Sequence, residues 1–164
     1  MRLRKSRKLV SILVTLSMLM VLLVPLAAPA GAYSVNRVSK VVTLDEDFFG
    51  DTGSVLTIKE DSDFVDDFVY GDVFQLILPS DVDWYEDDLA VTGPVDYEVI
   101  SDQILELTFT DAVDDNAVDE VKVNLSVELD GVEGDIAVEI DELDSGVTGG
   151  TYVFARVSGD KTTA

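Results

Sequence analysis

From residue 38 onward, apolar and polar side chains alternate with a period of two in segment after segment. Successive side chains of a strand point to opposite faces, so this period marks strands with one buried and one wet face. Val121–Leu129 carries it most cleanly. Val121, Val123, Leu125, Val127 and Leu129 share one face, and Lys122, Asn124, Ser126 and Glu128 share the other. Asp130-Gly131 then supplies turn chemistry before Ile136, Val138 and Ile140, so these two runs read as a β-hairpin. A second hairpin is expected from Val95–Ile100 and Gln103–Thr110, turning at Ser101-Asp102. Val38–Leu44, Ser54–Glu60, Val73–Pro79 and Thr151–Val157 complete eight candidate strands, and Gly149-Gly150 reads as a tight turn before the last. Helical signal is confined to one short turn within Asp111–Glu120. Strands at short spacing without intervening helices predict an all-β fold: an antiparallel β-sandwich of Ig-like or cohesin-like kind.

The first 32 residues break this pattern. Arg2, Arg4, Lys5, Arg7 and Lys8 precede an apolar run from Leu9 to Leu26, and Ala30-Gly31-Ala32 follows. That order of charge, apolar run and small residues is a secretory signal peptide, with cleavage directed by Ala30 and Ala32. The run nearly spans a bilayer, so an uncleaved anchor is the alternative. The expected organisation is a signal peptide at 1–32, one sandwich domain at 33–157 and a polar tail or linker at 158–164. The expected location is extracellular or at the cell surface, with no membrane contact after cleavage.

Charge sharpens the picture. All 33 acidic residues lie beyond Ala32, against six basic ones (Arg37, Lys40, Lys59, Lys122, Arg156 and Lys161), so the chain from Tyr33 carries 27 net negative charges. Such a field repels nucleic acid and anionic lipid and attracts cations and basic surfaces. Acid excess also fits a saline habitat.

The inventory of reactive side chains excludes most catalysis. The chain has no histidine and no cysteine. A Ser-His-Asp triad, a thiolate nucleophile and a zinc site of the usual nitrogen and sulfur type are therefore ruled out. Carboxylate-only chemistry of the glycosidase type needs a defined pair, and no pair stands out from 33 acids. The chain reads as a non-enzyme.

Calcium takes oxygen ligands from carboxylates and loop carbonyls. Two acidic loops are candidates: Asp61, Asp63, Asp66 and Asp67, and Asp81, Asp83, Asp87 and Asp88. Asp-x-Asp occurs three times, no more than 23 aspartates give by chance, and no EF-hand loop is present. A solvated acidic surface is the alternative. Trp84-Tyr85 lies between Asp83 and Glu86 and could stack on a sugar ring, although a lone Trp beside a strand more often plugs the end of a sandwich. Asn124-Leu125-Ser126 matches a glycosylation sequon on the polar face of its strand.

Three features together resemble the N-terminal modules of secreted and cell-surface proteins of Gram-positive, Firmicutes-type bacteria. One is the basic, alanine-ending signal. Another is Val55-Leu56-Thr57-Ile58-Lys59-Glu60 followed by Gly71-Asp72-Val73-Phe74-Gln75-Leu76-Ile77-Leu78-Pro79. The third is Val147-Thr148-Gly149-Gly150-Thr151-Tyr152-Val153-Phe154. Such modules occur with S-layer homology or copper amine oxidase N-terminal-like repeats, and the second run is also similar to strands of cohesin-like and bacterial Ig-like adhesion domains. The resemblance implies a structural or adhesive module whose partners are other envelope proteins, polysaccharide or further copies of itself. A calcium- or carbohydrate-binding module is one alternative. A filament subunit that exchanges the Val38–Leu44 strand is another.

Overall fold

The computed structural model describes residues 34–158; the expected signal peptide, with Ala30 and Ala32, and the tail beyond Ser158 lie outside them. Among the described residues eleven strands form two sheets. The five-stranded sheet runs β1 (Ser34–Val38), β3 (Phe49–Glu60), β9 (Glu120–Leu129) and β5 (Val82–Trp84), with β6 (Val91–Thr92) also paired to β9. The six-stranded sheet runs β2 (Val42–Leu44), β11 (Gly150–Val157), β10 (Gly134–Asp141), β4 (Val73–Ile77), β8 (Ile104–Phe109) and β7 (Val95–Ser101).

The core lies between the sheets. Leu56, Ile58, Val121, Val123, Leu125 and Val127 face it from one side; Phe74, Leu76, Leu105, Leu107, Val138 and Phe154 face it from the other. Phe68, from the loop between β3 and β4, closes one end by stacking on Phe109 at 4.5 Å between ring centroids. The all-β sandwich expected from the period-two alternation is therefore the observed fold, with one parallel pair, β2 on β11.

Four local expectations are corrected. Val121–Leu129 and Ile136–Ile140 do not form a hairpin: β9 pairs with β3, β5 and β6, whereas β10 pairs with β11 and β4. Both strands bury one face, and alternation is identical whether two strands lie side by side or oppose each other across a core. Val38–Leu44 is likewise not one strand, because the chain leaves the first sheet after Val38 and enters the second at Val42. Ser54, fully buried, pins this crossing by donating its hydroxyl toward the carbonyls of Lys40 and Phe154. Asp111–Asp119 forms turns and loop with no helix, and Glu120 already opens β9; the Asp114 amide closes the loop by donating to the Asp119 carboxylate at 2.8 Å. The short strands β5 and β6 have no counterpart in the expected set. The hairpin of β7 and β8 forms as expected, but turns one residue later than expected, at Asp102-Gln103, because Ser101 continues β7.

Candidate surface site

The structure separates the expected site residues. Trp84 is 5% exposed and belongs to the core, its indole Nε1 donating to the Gln103 carbonyl at 3.1 Å. Its burial fits the plug rather than a sugar platform. Tyr85, one residue on, is half-buried, and its ring meets the ring of Phe49 at 5.9 Å between centroids, tilted by 52°. Phe49 is 65% exposed. The surface aromatic pair is thus exposed Phe49 with half-buried Tyr85.

Strand register explains why these two rings meet. Phe49 of β3 opposes Glu128 of β9, which opposes Asp83 of β5. Residues two apart share a face, so Asp51 follows Phe49 and Tyr85 follows Asp83 on the outer side of the five-stranded sheet. Carboxylates therefore rim the rings. Asp83 accepts a hydrogen bond from Gln103 Nε2 at 2.5 Å. Burial first, then the negative charges of Asp87 and Asp88, hold the Tyr85 hydroxyl above its ordinary pKa; a hydrogen bond to Asp87 and the charge of Glu128 act in the same direction. The hydroxyl therefore stays protonated and a donor at neutral pH, beside oxygen atoms that only accept.

Asp87 and Asp88 lie exposed in a 3-10 turn, Glu86–Asp88, and Asp81 is exposed in the turn before β5. Asn124 clamps the segment after that turn. Its Nδ2 donates to the Asp88 carbonyl at 2.6 Å, and its Oδ1 accepts the Ala90 amide. The side chain of the glycosylation sequon is thus engaged in holding the rim.

Asp61, Asp63, Asp66 and Asp67 sit at the other end, in the loop between β3 and β4. Asp61 Oδ1 accepts the Asp63 amide at 2.9 Å, which fixes a local turn. Asp67 has one carboxylate oxygen buried without a partner among the described residues. Burial first, then Asp66, Glu60 and Asp61, raise its pKa. Among the described residues no three carboxylates converge as a cation cage, in either candidate loop or elsewhere.

The residue that organises this end is Glu60, which the sequence pattern passes over. It is 2% exposed, and its carboxylate accepts the Phe68 amide at 3.0 Å and the Asp119 amide at 3.1 Å. One buried charge thereby ties two loops to the end of β3, and charge-assisted bonds of this kind are the strong ones. The available signal was a carboxylate continuing the inward positions Leu56 and Ile58. For Phe49, the signal was a second aromatic beside Phe48, which packs against the core.

No helix among the described residues is long and apolar enough to cross a membrane. No protein-family profile matches the chain, and no curated protein does. Solved structures similar to it include the pilus backbone of Streptococcus pneumoniae, at 16% identity and a TM-score of 0.46, over 61% of this chain and 25% of that one. This chain therefore matches about a quarter of the pilus backbone's length. A collagen-binding domain from a Staphylococcus aureus adhesin is 9% identical, with a TM-score of 0.45, over 76% of this chain and 97% of that one. A non-cellulosomal cohesin from the archaeon Archaeoglobus fulgidus is 13% identical, with a TM-score of 0.36, over 79% and 94%. The likeness is one of general β architecture, shared with surface adhesin, pilus and cohesin domains, and at these scores it carries no argument about ligand or partner.

Proposed function

We propose that the chain is a non-catalytic structural and adhesive module of the cell envelope or extracellular matrix, and that it grips polysaccharide through the outer face of its five-stranded sheet. The observation that carries this reading is the surface pair of exposed Phe49 and half-buried Tyr85, rimmed by Asp51, Asp83 and Glu128. Aromatic faces offer flat apolar contact to sugar rings, and the surrounding carboxylates accept hydrogen bonds from sugar hydroxyls. The negative rim favours neutral or amino-bearing glycans over acidic ones. A place beside S-layer homology repeats, which the sequence resemblance implies, belongs to the same reading.

The test is affinity electrophoresis of the secreted protein, purified from culture medium, through gels containing envelope polysaccharide. Phe49→Ala and Tyr85→Ala are expected to abolish retardation while leaving the melting temperature within a few degrees. Unchanged retardation of the double variant rejects the platform.

Calcium at Asp61–Asp67 is a second reading, favoured by the buried, unpartnered oxygen of Asp67. Isothermal titration with calcium in chelator-stripped buffer tests it, and absence of both heat and thermal shift removes it.

A further inference from the structure

One end of the five-stranded sheet's outer face is basic, whereas the outer face of the six-stranded sheet is dominated by carboxylates. Five basic residues fall within the described part, and three of them share the outer face of the five-stranded sheet. Arg37 of β1 opposes Thr57 of β3, which opposes Lys122 of β9, which opposes Thr92 of β6. The next outward row is Val35, Lys59 and Glu120. Arg37, Lys59 and Lys122 are all exposed. Lys122 pairs with Glu120 at 2.5 Å, whereas neither Arg37 nor Lys59 has a carboxylate within salt-bridge distance among the described residues. The basic rows are nonetheless close enough that Lys122, Lys59 and Arg37 together hold the Glu120 carboxyl below its ordinary range.

The outer face of the six-stranded sheet is acidic, apart from Arg156 of β11, which is bonded to Asp135. One row reads Glu98, Glu106, Gln75 and Asp141 across β7, β8, β4 and β10. Asp96 and Glu139 stand in the flanking rows and share this face by the period of two. Glu98 lies directly opposite Glu106, a like-charge cross-strand pair that is destabilising in isolation. A single neutral donor, Gln75 Nε2 at 2.9 Å, serves Glu106. Asp96, Tyr97, Glu98, Glu106 and Thr108 line a shallow hollow on the same side.

We propose that copies of this chain stack face to face, the basic rows of one on the acidic row of the next. Arg37 and Lys122 lie two strands apart, about 10 Å, and Glu98 and Asp141 three strands apart, about 14 Å, at about 4.8 Å per strand, so the acidic row is long enough to cover the basic rows. The two faces point away from each other across the same sandwich. A contact between them is therefore heterologous and repeats, so it builds open-ended stacks rather than closed dimers. A polyanion laid along the basic rows would run on to Asp51, Asp83 and Glu128 on the same face, whereas a second copy supplies its carboxylates in a compact row. This inference goes beyond the glycan platform and does not depend on it.

The physics predicts an unusual salt dependence. At 0.01 M salt the Debye length is about 30 Å, and the net negative charge of whole chains keeps copies apart. At 0.15 M it is about 8 Å, which damps that repulsion more than it damps pairs in contact; at 1 M, about 3 Å, the contact pairs weaken too.

Sedimentation velocity of the secreted protein across this range is the test. The expected result is monomer at low salt, at least a twofold rise in weight-average mass near 0.15 M, and return to monomer at 1 M. Arg37→Glu with Lys59→Glu, and separately Glu98→Lys with Glu106→Lys, are each expected to remain monomeric with unchanged melting. Mixing the two variants re-creates complementary faces and is expected to restore association. Phe49→Ala with Tyr85→Ala is expected to associate like the parent, which separates failure of this proposal from failure of the glycan platform. Monomer at every salt concentration, association surviving either reversal, or no rescue on mixing overturns the proposal. So does a monomer that binds an anionic polysaccharide through Arg37 and Lys59.

Discussion

Glu60 allows the sharpest test of how this sandwich holds its ends. Its carboxylate is buried and accepts backbone amides from Phe68 and Asp119, one in each of two loops. Glu60→Ala removes both acceptors and leaves two amides without partners. Hydrogen bonds to a charged group contribute about 1.5–3 kcal/mol each, so the gross loss is about 3–6 kcal/mol. Some is returned, because the Glu60 charge also helps raise the Asp67 carboxyl. With about 1 kcal/mol restored by lifting that repulsion, the net loss is about 2–5 kcal/mol. For a domain of this size a loss of 1 kcal/mol lowers the melting temperature by about 4 °C, so the variant should melt about 8–20 °C earlier. Glu60→Gln keeps one acceptor oxygen and turns an amide nitrogen toward the other backbone donor, so about half the loss is expected. Thermal and urea unfolding supply the free energies. Amide hydrogen exchange adds the local readout, with protection lost at Phe68 and Asp119 before the core strands. A Glu60→Ala variant that melts within about 4 °C of the parent, with both amides still protected, refutes the reasoning.

Other consequences follow from the same geometry. Burial raises the Asp67 and Asp72 carboxyls, with added repulsion from Asp66, Glu60 and Asp61 on the first and Asp144 on the second. A raised acid costs stability while ionised, so folding should strengthen as pH falls through their raised values, beginning above 3.8. Asp67→Asn should raise the melting temperature at neutral pH and flatten this gain in pH-dependent unfolding. The Asp135 carboxyl is held low by its bond to Arg156, so that exposed contribution is present above 3.8 and lost as pH falls further; high salt should shrink it. Gly146→Ala would drive a β-carbon to 1.9 Å from the Asp67 carbonyl oxygen, and urea titration should show a loss of about 1–3 kcal/mol as the loop shifts. Trp84→Ala should cost about 3–5 kcal/mol by chemical denaturation, as expected for a buried aromatic; wild-type stability in that variant would remove Trp84 from the core.

The alternation of apolar residues determined a great deal without help. It specified strands, an inward face for almost every one of them, and hence a two-layer core, because side-chain direction in a strand is a local property of the backbone. It also carried the charge of the chain and the absence of histidine and cysteine, which are matters of counting. Partnership between strands, the β7–β8 hairpin apart, was decided only in three dimensions. Val121–Leu129 and Ile136–Ile140 look like neighbours in sequence, yet they lie in opposite sheets, because burial constrains a face and leaves the hydrogen-bonding edge free. The candidate site depends on those edges. Phe49 meets Tyr85 only because β3 and β5 flank the same strand, β9, and the basic rows exist only because Arg37, Lys59 and Lys122 fall into adjacent registers of three strands. A hydrophobic pattern encodes which way a residue points; which residues stand beside it is set by long-range pairing, and that is where the surface chemistry of this protein resides.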